Sequence, residues 1–371
     1  MRLGVEGCVV GSTIVRGDVV VVDGVVTAVG AYPAGGRGVA CPGFVDLQVN
    51  GFAGVSVATA DDDGYRRVGE ALCRTGVTAW LPTIPTSAPE VYVPALQLAG
   101  RMRRTPPPTA RPIGVHLEGP FLSDRKPGAH ERRLLQVPDP GLVDTFLRAG
   151  PVSMMTIAPE LPGAIELIPH LVGRGIVVSL GHTDCDAATA HAAFDAGASA
   201  VTHLWNAQRS MTARDGAVGG VALARDDVFI GVIADLVHVG PETLKVSLLA
   251  AGDRLVIVSD AVAPAGLSDG EHPWGGDAGD RTVTVDHGAV RLVDGTLAGS
   301  VGTLDASVRN VVGLGLPLGR AVHAVTAAPA RLLGRSDLGR LAVGAAADVT
   351  VLDDSLAVSR VLVRGAEAYA A

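Results

Sequence analysis

Apolar residues along the chain fall into short runs of two textures. Near the N-terminus, Asp18-Val-Val-Val-Val22 stops at Asp23-Gly24 and resumes as Val25-Val-Thr-Ala-Val29. Two β-rich runs separated by Asp-Gly predict a hairpin, because both residues tolerate the positive φ of a tight turn. The C-terminus repeats the texture in Val349-Thr-Val-Leu352 and Val361-Leu-Val363. Separate strands at each end would leave open edges, so one small β-sandwich domain built from residues 1–40 and 341–371 is expected.

Residues 41–340 read differently. Eight strand-length apolar runs recur: Phe44–Val49, Val77–Leu81, Ile113–Leu117, Ser153–Ile157, Ile176–Leu180, Ala200–His203, Val228–Ile233 and Leu255–Ser259. Helix-period segments separate them, such as Asp184–Ala196 and Pro241–Ala251, the latter with Pro in its first turn and Gly252 beyond its end. Eight β-then-α units over this length predict an α/β chain with a (β/α)8 TIM barrel. A doubly wound open sheet competes, but it uses fewer strands and a Gly-rich first turn. Neither GxGxxG nor GxxxxGK[ST] occurs.

Composition sharpens this. The 371 residues are 48% hydrophobic but only 4% aromatic, so the core must come from Val, Leu, Ile and Ala, as in parallel strands covered by helices. The net charge of −8 speaks against nucleic-acid partners and an anionic membrane surface. No uninterrupted apolar run reaches the ~18 residues of a membrane span. Four scattered cysteines without a CxxC pair fit a reducing compartment, and no signal-peptide pattern is read, so a cytoplasmic location is expected. Lysine is represented only by Lys126 and Lys245.

Barrel chemistry sits at the C-terminal ends of strands. The expected strands end in Asp46, Gln48 and Asn50; in His116 and Glu118; in His182; in His203 and Asn206; in Asp235 and His238; and in Asp260. Glu118, His182 and His203 form a carboxylate and two-imidazole set that leaves room for water, the pattern of a catalytic rather than a structural metal. A metal lowers the pKa of bound water and polarises a carbonyl. Asp260, outside the ligand set, can take the water's proton and return it to a leaving amine. The constellation predicts metal-assisted hydrolysis of an amide-like bond. His116 shares Glu118's strand parity and is expected to be core or supporting; Cys185 reads as a small hydrophobe at the next helix. His170, His191 and His323 read as surface or packing residues, and His272 and His287 fall in a Gly/Asp-rich insertion without an assigned role.

These motifs carry a resemblance. Cys41-Pro-Gly-Phe-Val-Asp46 between β flanks resembles the amidohydrolase superfamily. His116-Leu-Glu-Gly-Pro120, Ala158-Pro-Glu160, Gly181-His-Thr183, Thr202-His-Leu-Trp-Asn-Ala207, Ile233-Ala-Asp-Leu-Val-His238, Ser259-Asp-Ala261 and Leu297-Ala-Gly-Ser300 are similar, in order, to motifs of the N-acetylglucosamine-6-phosphate deacetylases. The resemblance covers essentially the whole chain. It implies a barrel with a small β-sandwich, cytoplasmic amino-sugar catabolism, and hydrolysis of the acetamide to glucosamine 6-phosphate and acetate. By the same resemblance Glu118, His182 and His203 match metal ligands and Asp260 the general base and acid. Asn206, the backbone at Ala207, Arg214 and His238 match sugar-phosphate contacts, and His130 matches a residue that meets substrate near the acetyl carbonyl. Arg214 is similar to an arginine that reaches the neighbouring subunit's site, which implies a homodimer.

One departure is informative. Many amidohydrolases carry His-x-His on the first barrel strand, whereas Gln48 and Asn50 stand here, both poor ligands for a first-row metal. Neither lysine is placed at a strand end to bridge two ions. One divalent metal per chain is therefore expected, zinc favoured and iron the alternative. A proline at 127 also alters the loop before His130. Other amidohydrolase reactions, on a cyclic amide or an N-acyl amino acid, and a non-catalytic sugar-phosphate-binding barrel remain as alternative functions.

Overall fold

A computed structural model describes residues 1–274 and 281–371. Its centre is a ring of eight parallel strands: β1 (Phe44–Val49), β2 (Val77–Pro85), β3 (Val115–Glu118), β4 (Val152–Ile157), β5 (Val177–Leu180), β6 (Ala200–Val201), β7 (Phe229–Ile233) and β8 (Leu255–Val258). Each pairs with the next in order. Between β8 and β1 the ring is nearly closed by the parallel bridge Val49–Ala261, and Asn50 N–H donates to the Ala261 carbonyl at 2.7 Å. Asp46 adds a side-chain staple there, accepting from the N–H groups of Gln48 and Ser259, both at 3.2 Å.

Strand alternation sorts the core into two layers. Trp80, Met155 and Ile257 pack outward under the helices, while Ala79, Leu81, Met154, Val256 and Val258 fill the bore with Val45 and Leu47. Ala328, Leu332 and Leu338 belong to the same inner cluster. Above this apolar layer the bore turns polar. His116 donates from Nδ1 to the Leu47 carbonyl (3.1 Å), which leaves Nε2 to accept from Thr156 Oγ1 (2.7 Å). With that hydroxyl proton committed, Thr202 donates to Thr156 (2.7 Å) and Ser179 to Thr202 (2.6 Å). His116 thus ties β1, β3, β4, β5 and the end of β6 together beneath the site.

The termini meet as expected. Strands Thr13–Arg16, Gly7–Val10, Val39–Pro42, Val349–Leu352, Val358–Val363 and Ala366–Ala370 form one six-stranded sheet in that order. The hairpin Asp18–Val22 and Val25–Ala31 packs on it through Val19, Val21 and Val26 against Cys8, Ala40 and Val349. Asp23 and Gly24 take φ of 49° and 76°, the two positive values of a type I′ turn. A four-stranded antiparallel sheet, Gly270–Pro273, Thr282–Asp286, Ala289–Arg291 and Leu297–Ser300, occupies the insertion after β8. No described helix is long and apolar enough to cross a membrane.

Candidate active site

The polar strand ends converge on one cavity at the C-terminal rim. Asn50, Glu118, His130, His182, His203, Asn206, Ala207, His238 and Asp260 all line it. His182, His203 and Asp260 leave their strands with φ of 47°, 30° and 50°. Left-handed backbone at non-glycine residues costs about 1–3 kcal/mol each and persists where surrounding structure enforces it. Here it turns three side chains out of the pleat and over the bore.

Glu118 Oε1 lies 3.2 Å from His182 Nε2 and 3.0 Å from His203 Nε2, and the two nitrogens are 3.0 Å apart. His182 Nδ1–H donates to the Lys126 carbonyl at 3.1 Å, so its Nε2 offers a lone pair to the triangle. A lone pair aimed at a carboxylate oxygen is repulsive unless a cation lies between them. The edges also approach the ~3.3 Å expected of a tetrahedral zinc with bonds of about 2.0–2.1 Å. The residues fit a divalent metal. Burial alone would raise the Glu118 carboxyl, but positive charge in the triangle, carried by protonated imidazoles where no cation lies between the three groups, holds it well below its ordinary range.

Gln48 and Asn50 face the two carboxylates. Gln48 Nε2 donates to Glu118 Oε1 at 2.9 Å, and Asn50 Nδ2 donates to Asp260 Oδ1 at 2.7 Å. Burial, and next the charge of Glu118, push the Asp260 carboxyl up to about 7, partly offset by His203, His238 and Asn50. His130 is a further cavity residue: its Nε2 is 3.8 Å from Glu118 Oε2 and its ring stands edge-on to His182 with centroids 4.5 Å apart. Burial pushes its imidazole down to about 3.

On the opposite wall, His238 Nδ1 pairs with Asp235 Oδ2 at 2.7 Å, which leaves Nε2 for a ligand. Asp235 also accepts the N–H groups of Val237 and His238, each at 2.9 Å, and the Ser300 hydroxyl at 3.1 Å. The loop after β5 is pinned by Glu160, which accepts Thr183 Oγ1 at 2.5 Å and Asp184 N–H at 2.6 Å. That bond connects the Ala158-Pro-Glu160 and Gly181-His-Thr183 motifs.

Arg214 is exposed and does not line the cavity of its own chain. Cys185 is buried, one residue before the N-cap Asp186 of helix Ala187–Asp195. Sequence reasoning singled out Leu297-Ala-Gly-Ser300 as a motif but gave it no place in the cavity, and it missed Trp274 and Thr296, which line the same wall beside Leu297 and Gly299. It also missed the Lys126 carbonyl, a backbone group whose contact no side-chain identity announces. Asp235 was readable, since Asp-x-x-His places a carboxylate one turn from an imidazole.

An amidohydrolase family model matches residues 39–367. The chain is 38% identical over 348 residues to an N-acetylglucosamine-6-phosphate deacetylase of Rattus norvegicus, covering 89% of this chain and 83% of the rat protein. It is 32% identical over 353 residues to an N-acetylgalactosamine-6-phosphate deacetylase of Escherichia coli O157:H7, covering 93% of each. Among solved structures, an alanine variant of the N-acetyl-D-glucosamine-6-phosphate deacetylase of Mycobacterium smegmatis, in complex with N-acetyl-D-glucosamine 6-phosphate, superimposes with TM-score 0.92 at 34% identity over 99% of both chains.

Proposed function

The chain belongs to the amidohydrolase family, and from that premise we propose that it hydrolyses the acetamide of N-acetyl-D-glucosamine 6-phosphate to D-glucosamine 6-phosphate and acetate. One observation carries the reading: Glu118, His182 and His203 meet within 3.2 Å at one end of a cavity that Asp260 and His238 also line.

The family implies a divalent metal, and Glu118, His182 and His203 are the residues that would hold it. The mixed imidazole and carboxylate set favours one zinc per chain, with iron as the alternative. When bound, the ion supplies Lewis acidity to the substrate carbonyl and acidifies its water. Asp260 removes a proton from the attacking water and delivers it to the departing amine nitrogen. Asn50 holds that carboxylate in place, as Gln48 holds Glu118. His238, oriented by Asp235, Asn206 and the backbone at Ala207 bind the sugar phosphate, and His130 meets the acetyl end. The −8 chain thereby takes a small anion through a few placed groups rather than a basic face.

Arg214 acts on the neighbouring site of a homodimer in this reading. Its exposure within one chain supports that, as do the exposed Met211 in the same loop and Val246 and Leu249 on helix Pro241–Ala251. Four buried, unbridged cysteines support a cytoplasmic location.

The test is turnover of N-acetylglucosamine 6-phosphate beside its unphosphorylated form, its galactosamine epimer and an N-acyl amino acid. Strong preference for a phosphorylated sugar is expected, and the epimer arm separates the two activities named for the relatives. Equal handling of the free sugar would strip the phosphate contacts of their role, and no turnover of any arm would leave a binding barrel.

A further inference from the structure

The ladder of β6 ends at Val201, yet the chain stays buried through Thr202, His203 and Leu204. It then doubles back through left-handed backbone at three residues in five: His203 at φ 30°, Trp205 at 79° and Ala207 at 47°. Such backbone persists only where its surroundings enforce it. Buried peptide groups that leave a ladder also still need partners. Leu204 N–H finds the Gly231 carbonyl at 2.7 Å. The Thr202 carbonyl and the Trp205 N–H both find one side chain, Gln208, which is 7% exposed. Its Nε2 donates to Thr202 at 2.8 Å and its Oε1 accepts from Trp205 at 3.3 Å. A primary amide presents a donor and an acceptor side by side, which is what these two groups require. The backbone around Gln208 also reaches the second imidazole. Thr183, next to His182, donates its N–H to the Ala207 carbonyl at 3.2 Å and accepts from Arg209 N–H at 2.9 Å, a parallel bridge between 183 and 208.

The turn that Gln208 closes carries His203, which meets Glu118 and His182, and it carries Asn206 and Ala207, which line the cavity. Gln208 itself does not line the cavity. We propose that Gln208 is a positioning residue for both ends of the substrate. Through one amide it sets the His203 ring toward the triangle and, on the same turn, the Asn206 side chain and the Ala207 peptide toward the sugar phosphate. The inference rests on the proposed function and deepens it. Metal site and phosphate contacts are then not independent: losing one buried amide degrades both.

Two variants of the full chain test this. Gln208→Met keeps the length and removes the amide, and Gln208→Glu keeps an acceptor for Trp205 but sets an acceptor against the Thr202 carbonyl. In both, zinc affinity from chelator competition should fall about 10–100-fold, as when a group supporting a ligand is lost. At saturating zinc, KM for N-acetylglucosamine 6-phosphate should rise about 10-fold, the loss of a well-placed contact to a charged group. Thr350→Val is the control: it deletes a buried hydrogen bond to the Gly76 carbonyl outside the cavity, and both values should stay within about twofold of the parent. Parent-like values in either Gln208 variant would overturn the proposal, as would a loss in zinc affinity or in KM alone, or equal losses in Thr350→Val. Hydrogen exchange of the Trp205 amide in the unmodified enzyme needs no variant, so a folding defect cannot mask the answer: slow exchange is expected, and fast exchange would overturn the assignment. Deacetylation by the unmodified enzyme keeps the readings apart. Turnover there with unaffected variants removes only the role of Gln208, whereas no turnover removes the proposed reaction.

Discussion

Gln48→Leu isolates what an amide does beside the Glu118, His182 and His203 triangle. Gln48 is 2% exposed, and Leu occupies nearly the same volume without a polar atom, so the bore stays filled. The change deletes the 2.9 Å bond to Glu118 Oε1, the same oxygen that meets both ligand imidazoles. A hydrogen bond to a charged group contributes about 1.5–3 kcal/mol. At 1.36 kcal/mol per decade this is about 10–150-fold in an equilibrium constant. The range overlaps the 10–100-fold loss of metal affinity that follows removal of groups supporting a ligand. Competition against a chromophoric zinc chelator should therefore show affinity weakened about 10–100-fold.

Asn50→Leu supplies the contrast. Its bond goes to Asp260 and not to the metal triangle, so kcat should fall by at least about 10-fold while zinc affinity stays within about threefold of the parent. Urea unfolding of the metal-free forms checks that neither variant merely loosens the barrel. Unchanged zinc affinity in a well-folded Gln48→Leu would refute the reasoning. Equal effects of the two variants on affinity would refute the division of labour.

Three further outcomes follow. Asp235→Asn keeps an acceptor for the N–H groups of Val237 and His238 but removes the charge paired with His238, so KM for the phosphorylated sugar should rise about 10-fold with a smaller change in kcat, read from steady-state kinetics. Burial would raise the Asp18 carboxyl, but the N–H groups of Val19, Val5 and Gly4 together with Arg2 hold it below its ordinary value. Its contribution to stability is therefore complete above about pH 4 and lost as pH falls through the lower folded value, and Asp18→Asn should flatten that acid limb in urea titrations. Arg111 and Asp348 form a pair with side chains 8% and 11% exposed, and burial, the largest influence on each, lowers the arginine and raises the aspartate. Either Arg111→Met or Asp348→Asn alone should cost about 3–5 kcal/mol in urea unfolding and the double variant much less, an outcome that strict additivity would contradict.

The barrel was legible because parallel strands buried on both faces read as continuous apolar runs. β1 spans Phe44–Val49 as expected, and helix Pro241–Ala251 matches at both ends because Pro and Gly mark them. Where prediction and structure part, chemistry intervenes. The sixth run was expected to reach His203, but the ladder stops at Val201 because His203 takes a φ of 30° and turns its ring over the bore. Helix Ala187–Asp195 starts three residues late because Asp186 is its N-cap and accepts Thr189 N–H at 2.8 Å. Glu118, His182 and His203, the triangle that would hold a metal, were visible as residue types at strand ends. Its supports were less so, because Gln48 and Glu118 are 70 residues apart and the Lys126 contact belongs to the backbone. Trp274 reaches the cavity only through the fold of an insertion whose composition resembles a loop.

The first barrel strand shows most directly how composition and geometry constrain each other. An imidazole at 48 or 50 would bring a lone pair that itself calls for a cation or a proton beside Glu118 and Asp260. An amide brings a donor that needs neither. With amides there, the strand offers no imidazole to a second ion. Lys126 lies in the loop and Lys245 on helix Pro241–Ala251, so no lysine ends a barrel strand where it could bridge two metals. Each carboxylate instead receives one fixed donor, Glu118 from Gln48 and Asp260 from Asn50. Those donors give the two acids different surroundings. Glu118 is held against the imidazoles of His182 and His203, and Asp260 stays outside that triangle. Restoring imidazoles through Gln48→His with Asn50→His should therefore remove both donors without completing a second metal site, and zinc analysis of that variant should still find no more than one ion per chain.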